Sequence, residues 1–255
     1  MKLIDPKYAN GSFLLGRVWN IYARFYDNAQ PRIIRFLGAF GDFSYDEFEE
    51  EFVKLARLKR GQSVLEVACG TGAAMPALSR ALGPKGEIVG ADISSEMLHR
   101  AFTRTRKLRI RNVSYREVDA EKLSLDFDEE SFDAVLCCNG LPNFLRPNRA
   151  IVEMTHVLRE GGTLALSTIN RDKCDEHPIF RWTAKYPEGR FAYKEEFREM
   201  LGELGFEQIK FYERGFMLII VAKKKAGAKS GERQASPSRK AKNPRRTPLE
   251  GTVVT

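Results

Sequence analysis

The sequence predicts a doubly wound α/β fold: a seven-stranded, mostly parallel sheet with helices on both faces, closed by a C-terminal antiparallel hairpin. Three observations carry that expectation. Short apolar runs alternate with amphipathic stretches from residue 63 onward. The first run, Val64 to Val67, enters a tight turn, Ala68-Cys69-Gly70-Thr71-Gly72. Two final runs, 207–215 and 216–224, are separated only by a turn at Gly215. Alternating strands and helices build a parallel sheet covered on both sides. Strands joined by so short a turn have no room for a crossover and must pair antiparallel.

The elements follow in order. Residues 13–26 place Phe13, Leu14, Val18, Tyr22, Phe25 and Tyr26 at mostly helical spacing. A second helix is expected from Asp46 to Arg60, apolar at Phe48, Phe52 and Leu55 and stopped by Gly61. Strands are expected at 63–68, 87–93, 113–120, 132–139 and 161–169, with helices at 73–82, 94–107 and 149–158. Residues 170–192, with Pro178 and Pro187, break the rhythm, and a helix over 193–204 precedes the hairpin. The chain thus divides into a helical cap (1–60), an α/β domain (61–224) and a tail (225–255).

Charge is unevenly placed. Of 42 Lys and Arg residues, 10 lie from Lys223 onward, against 2 of the 34 Asp and Glu, which leaves 32 of each before that point. The net charge of +8 therefore resides in the tail and gives no reason to expect a nucleic-acid-binding core. The tail is poor in aromatics and rich in Lys, Arg, Ser and Pro, a composition that predicts disorder. It suits peripheral contact with an anionic membrane or with nucleic acid. The four cysteines (Cys69, Cys137, Cys138, Cys174) show no metal-binding spacing and read as small hydrophobes in a reducing cytoplasm. The first residues lack a secretory apolar core, and the longest apolar run near the C-terminus, 216–222, is too short to span a bilayer.

The glycine turn is where a doubly wound sheet places a nucleotide-like ligand. A dinucleotide-binding register would need glycine at 68, 70 and 73, and the chain has Ala68, Gly70 and Ala73. A carboxylate at Glu66 is also poorly placed beside two phosphates, but favourable beside a cation. S-adenosylmethionine meets that requirement with a sulfonium, an α-amino group and an adenosine. Glu66-x-Ala68-x-Gly70-x-Gly72 resembles the first motif, (D/E)xGxGxG, of class I S-adenosylmethionine-dependent methyltransferases. Glycines at 70 and 72 are expected to let the backbone approach the ligand. Ala68, in place of the first glycine, is tolerable if its φ is negative. A plain strand-to-helix turn with no ligand is the bland alternative.

The resemblance carries further expectations. Asp92, ending the second strand, sits where the family binds ribose, with Ile93 beside it. Its alternative is a cap for the following helix, a task Ser94 or Ser95 can perform. Asp119 and Ala120 fall where the family meets adenine, and Asn139 where it contacts the methionyl group and faces the acceptor. Cys69 lies within the turn. The run Cys137-Cys138-Asn139-Gly140-Leu141-Pro142-Asn143-Phe144 lacks the adjacent prolines of DNA amino-methyltransferases. With the helix that follows and the 157–166 segment, it is similar to ubiquinone/menaquinone-biosynthesis C-methyltransferases. Residues 22–29 resemble the aromatic-Tyr-Asp segment those enzymes fold over the cofactor, which adds Tyr26 to the site.

The resemblance implies a Rossmann-like fold, S-adenosyl-L-methionine as methyl donor, and a small, lipidic or quinone-like acceptor. Methylation of RNA or protein, with the tail as tether, is the second reading, and a catalytically silent binding protein the third. His177 in the irregular segment, Tyr26 and Asn139 are candidate bases or orienters, and none is singled out. The six basic residues from Arg100 to Arg111 read as a solvated helix face or as a contact for an anionic substrate or RNA.

Overall fold

The computed structural model describes Asn20 and residues 45–176 and 193–227. The expected cap residues 13–26 other than Asn20, and most of the 170–192 segment including His177, lie outside the described residues, as does the tail beyond Gly227.

Seven strands form one sheet in the order β3-β2-β1-β4-β5-β7-β6. They are β1 (Ser63–Val67), β2 (Glu87–Asp92), β3 (Val113–Glu117), β4 (Phe132–Cys137), β5 (Leu158–Ile169), β6 (Phe206–Arg214) and β7 (Met217–Lys224). Strand β7 pairs antiparallel with both β5 and β6, while β1 to β5 pair in parallel. Six strands therefore run one way and β7 alone opposes them. This is the expected architecture.

Six α-helices are described: α1 (Tyr45–Leu55), α2 (Met75–Leu82), α3 (Ser95–Lys107), α4 (Pro147–Val157), α5 (Arg171–Glu176) and α6 (Lys194–Glu203). Each longer helix starts or ends for a local reason. Ser94 accepts the Met97 N–H at 3.2 Å and so caps α3, whose last turn carries Arg104, Arg106 and Lys107 against the negative end of the helix dipole. Pro147 opens α4, where its missing N–H costs nothing. Helix α1 stops at Leu55, five residues short of the expected Arg60; Arg57 turns the chain with φ +50°. The third strand ends at Glu117 because Asp119 caps a 3-10 turn, Ala120–Leu125, through the Glu121 N–H.

Two apolar clusters sandwich the sheet. One face of β1 buries Leu65 and Val67 with Ile151, Met154 and Leu158. The other buries Val64 with Phe48, Phe52, Met75 and Leu78, so α1 packs into the same core as the sheet. At the far end of the sheet, Lys224 is only 3% exposed. Its ammonium donates to the carbonyls of Leu158 (2.7 Å) and Thr155 (3.2 Å) and meets Glu130 at 3.3 Å. A lysine counted with the tail by composition is thus a buried lock on the α4–β5 junction.

Phe52 is fully buried between α1 and the sheet. Truncation by Phe52→Ala is expected to lower the unfolding free energy by about 3–5 kcal/mol in denaturant titration.

Candidate functional site

The C-terminal ends of β1, β2 and β4 open into a cleft, because each strand there ends in a turn of small residues. Ala68 and Gly70 line it from β1, Asp92 and Ile93 from β2, Asp119 and Ala120 from the turn after β3, and Asn139 from β4. The structure brings these seven predicted residues together. Glu66, Cys69 and Gly72 do not line the cleft, and Tyr26 lies outside the described residues.

Asp92 organises the cleft. One carboxylate oxygen accepts the Gly70 N–H at 2.9 Å, and the other accepts the Ser94 N–H at 2.9 Å. The side chain therefore ties the glycine turn after β1 to the start of α3. Ser94, not Asp92, is the side-chain cap of α3. Burial pushes the Asp92 carboxyl up to about 6, against the pull of its backbone hydrogen bonds. Each oxygen keeps a lone pair for a further donor.

Glycine's conformational freedom is used differently from the expectation. Gly70 has φ +54° and meets the cleft. Gly72 has φ +73°, but a side chain there would meet the Ala101 Cβ at 3.0 Å and the Met75 Cγ at 3.3 Å. It serves the close approach of α3, not of a ligand. Ala68 overturns a specific expectation, since its φ is +56°. An alanine therefore holds a left-handed position that a glycine would hold without strain, at a cost of about 1–2 kcal/mol. Its methyl packs against the turn after β4, where a Cβ on Gly140 would come within 2.8 Å of it and 2.6 Å of the Cys137 sulfur.

Glu66 reads from the sequence as an acid favourable beside a cationic ligand. It is 2% exposed and lies on the opposite side of β1 from Leu65 and Val67. Its Oε2 has no hydrogen-bond partner among the described residues. Burial, then the nearby Glu49 and Asp92 carboxylates, raise its pKa well above the ordinary glutamate value. Burial of this kind disfavours the charged form of the carboxyl.

Asp119 is 5% exposed, caps the 3-10 turn at 3.0 Å and sits 3.5 Å from the Lys122 ammonium. Asn139 has φ +55° and is fixed by the fully buried Ser167, whose hydroxyl accepts the Asn139 N–H at 2.9 Å and lies 3.0 Å from its Oδ1. The sequence reading missed Ser167, although a lone serine inside an apolar strand is a signal. It also missed Asn143, which lines the cleft and donates to the Asn139 carbonyl at 3.1 Å, and the cleft residue Glu121. Glu121 accepts from the Arg146 backbone (2.8 Å) and guanidinium (2.9 Å), tying the 3-10 turn to α4. Cys138 also lines the cleft, but burial and the Glu49 charge raise its pKa well above the usual thiol value, so it is no ready nucleophile. All four cysteines are free thiols. Among the described residues, no group of His, Cys, Asp and Glu is arranged to hold a metal ion. Nor is any helix there long and apolar enough to cross a membrane.

Comparison with known proteins agrees with this geometry. A family model described as a methyltransferase domain matches residues 58–215. The demethylmenaquinone methyltransferase of Staphylococcus carnosus is 36% identical over 115 residues, covering 45% of this chain and 46% of that protein. The ubiquinone/menaquinone biosynthesis C-methyltransferase of Idiomarina loihiensis is 39% identical over 111 residues, covering 43% of each. The chain thus spans a little under half the length of these curated relatives. A solved S-adenosylmethionine-dependent methyltransferase from Aquifex aeolicus superposes with a TM-score of 0.56 at 23% identity, covering 69% of this chain and 89% of that one. At that identity the likeness is one of fold.

Two outcomes follow from the turn. Ala68→Gly is expected to raise the unfolding free energy by about 1 kcal/mol, relief of left-handed strain exceeding the added entropy of the unfolded chain. The Asp92 pKa is raised from 3.8 to about 6 on folding, so the folded state holds that proton more tightly. Its contribution to stability therefore falls as pH rises through that window. Unfolding titrations across it are expected to show a downward slope that is reduced in Asp92→Asn.

Proposed function

The chain belongs to the methyltransferase-domain family, and on that footing we propose that it transfers a methyl group from S-adenosyl-L-methionine to a small, lipid-like or quinone-like acceptor. The observation that carries the reading is the Asp92 bridge. It places a carboxylate at the mouth of the cleft, with Gly70 on one side and the start of α3 on the other. That arrangement suits a ribose whose two hydroxyls donate to one carboxylate. Asp119 and Ala120 then face the adenine. Asn139, braced by Ser167, faces the methionyl end, and Gly70 gives that end room against the backbone. The partnerless oxygen of Glu66, behind the turn, fits a ligand that carries positive charge.

When bound, the donor supplies an electrophilic methyl carbon already activated by its sulfonium. The protein's task is to hold donor and acceptor in line and to exclude water, and alignment of that kind is worth roughly 7–11 kcal/mol of barrier. Residues 1–60, with Tyr26, are the proposed cap over the acceptor, and residues 225–255 a basic extension for peripheral contact with anionic surfaces. The quinone-like acceptor is supported by the printed activities of the two curated relatives. The free thiols suit a cytoplasmic setting.

A binding titration of the full chain separates this reading from a dinucleotide-dependent one. S-adenosylmethionine is expected to bind and NAD(H) not, with Asp92→Ala weakening the former by about tenfold or more. Wild-type affinity is expected to decline as pH falls below about 6, where Asp92 takes up its proton. Preferential binding of NAD(H) overturns the proposal. Mass spectrometry of cell extract incubated with protein and donor then finds the acceptor as a species heavier by one CH2.

A further inference from the structure

The charge balance of the chain conceals a polarised edge. Between Ser95 and Glu117 stand seven Arg and Lys residues against only Glu96 and Glu117, although 32 basic and 32 acidic residues precede Lys223 overall. The fold gathers them at the β3 border of the sheet, where α3 packs against β2 and the edge strand β3. Helix α3 buries Met97, Leu98, Ala101 and Thr105. It turns the opposite stripe outward: Ser95, His99, Phe102 and Arg106 at spacings of four, three and four residues. The chain leaving the helix continues the stripe with exposed Lys107, Leu108, Arg109 and Arg111, and Arg116 projects from β3. Among the described ion pairs, Glu96 is engaged by Arg100 at 3.2 Å, and none includes Lys107, Arg109, Arg111 or Arg116.

Two apolar side chains stand inside this cationic field. Leu108 is 54% exposed, flanked on both sides by basic residues, and Phe102, six residues earlier, is 38% exposed. The Arg106 guanidinium lies 5.7 Å from the centre of the Phe102 ring. Charge alone does not explain an exposed leucine between Lys107 and Arg109. A surface that offers both anionic headgroups and an acyl boundary does. The cations meet the headgroups, while the leucine and the phenylalanine enter the boundary and the Arg106 stem lies along the ring. A nucleic acid would satisfy the charges but leave Leu108 without a counterpart. It would also need open aromatic faces for stacking, and Phe102 is the one exposed large aromatic among the described residues, with a face engaged by Arg106.

We propose that this α3–β3 edge is a docking surface for an anionic lipid bilayer. It is separate from the cofactor cleft and from the basic tail, and it does not depend on the identity of the acceptor. Co-sedimentation of the full chain tests it, using phosphatidylcholine vesicles with and without phosphatidylglycerol. Binding is expected only with the anionic lipid and is weakened by salt. Reversing Lys107, Arg109 and Arg111 to Glu is expected to lower partitioning by more than about tenfold. The pair Phe102→Ser and Leu108→Ser, which leaves net charge unchanged, is expected to lower it severalfold. A chain ending at Gly227 is expected to keep most of the binding. S-adenosylmethionine binding and the unfolding midpoint report on the fold of each variant, and all substituted side chains are exposed. The proposal is overturned if the charge reversals leave partitioning intact, if removing the tail abolishes it, or if the apolar pair binds as well as wild type. Tighter capture of single-stranded RNA than of vesicles at this edge also overturns it.

Discussion

Everything at the open end of this sheet is referred to one carboxylate. Asp92 accepts from Gly70 and from Ser94, so a single side chain fixes both the turn leaving β1 and the first turn of α3. Those are the two backbone segments a nucleoside would lie between. The bridge is costly, because burial resists the charge and drives the carboxyl toward neutrality. The backbone N–H groups that offset this cost are delivered by conformations that side chains resist, with Gly70 at φ +54° and Ala68 at φ +56°. The left-handed alanine is tolerable because the surrounding turn is over-determined from several sides. Asp92 holds it from above, and Gly140 gives way to its methyl from the side.

The acids around the turn form a graded set. Asp92 reaches the cleft and is partly relieved by backbone donors. Glu66 sits behind it, more deeply buried, with an oxygen that finds no donor among the described residues. On the function proposed above, a cationic ligand offsets part of the cost of burying these acids.

Much of this was legible in the sequence because it rests on short-range rules. Apolar runs of strand length, Ser94 as a cap, and the tight joint at Gly215 each declare themselves within a few residues, and the sheet they imply is the sheet observed. The seven cleft residues were legible for a related reason: in a parallel sheet, successive strand ends fall on one side. The errors have the opposite origin. Gly72 reads as a ligand glycine until Ala101, far along the chain, is seen against it. The positive φ at Ala68 is not declared by its residue type, since alanine ordinarily avoids it. Glu66 is buried in a strand covered on both faces and does not line the cleft, which a motif does not record. Lys224 is legible as the end of the last strand, but not as a buried lysine, because its three partners lie between residues 130 and 158.

That lysine, together with the strand order, bears on how the chain is made. Strand β7 stands between β5 and β6, so β6 leaves the ribosome first yet has no partner in the sheet until its successor arrives. The free border of β5 and the carbonyls at its start wait for the same segment, since Lys224 is its final residue. Two of the seven strands, β6 and β7, therefore join the sheet only once β7 is available. A nascent chain interrupted between β6 and β7 presents an unpaired β6 and the free border of β5, the kind of surface on which other chains pair. For this sheet, assembly is concluded by its seventh strand in chain order.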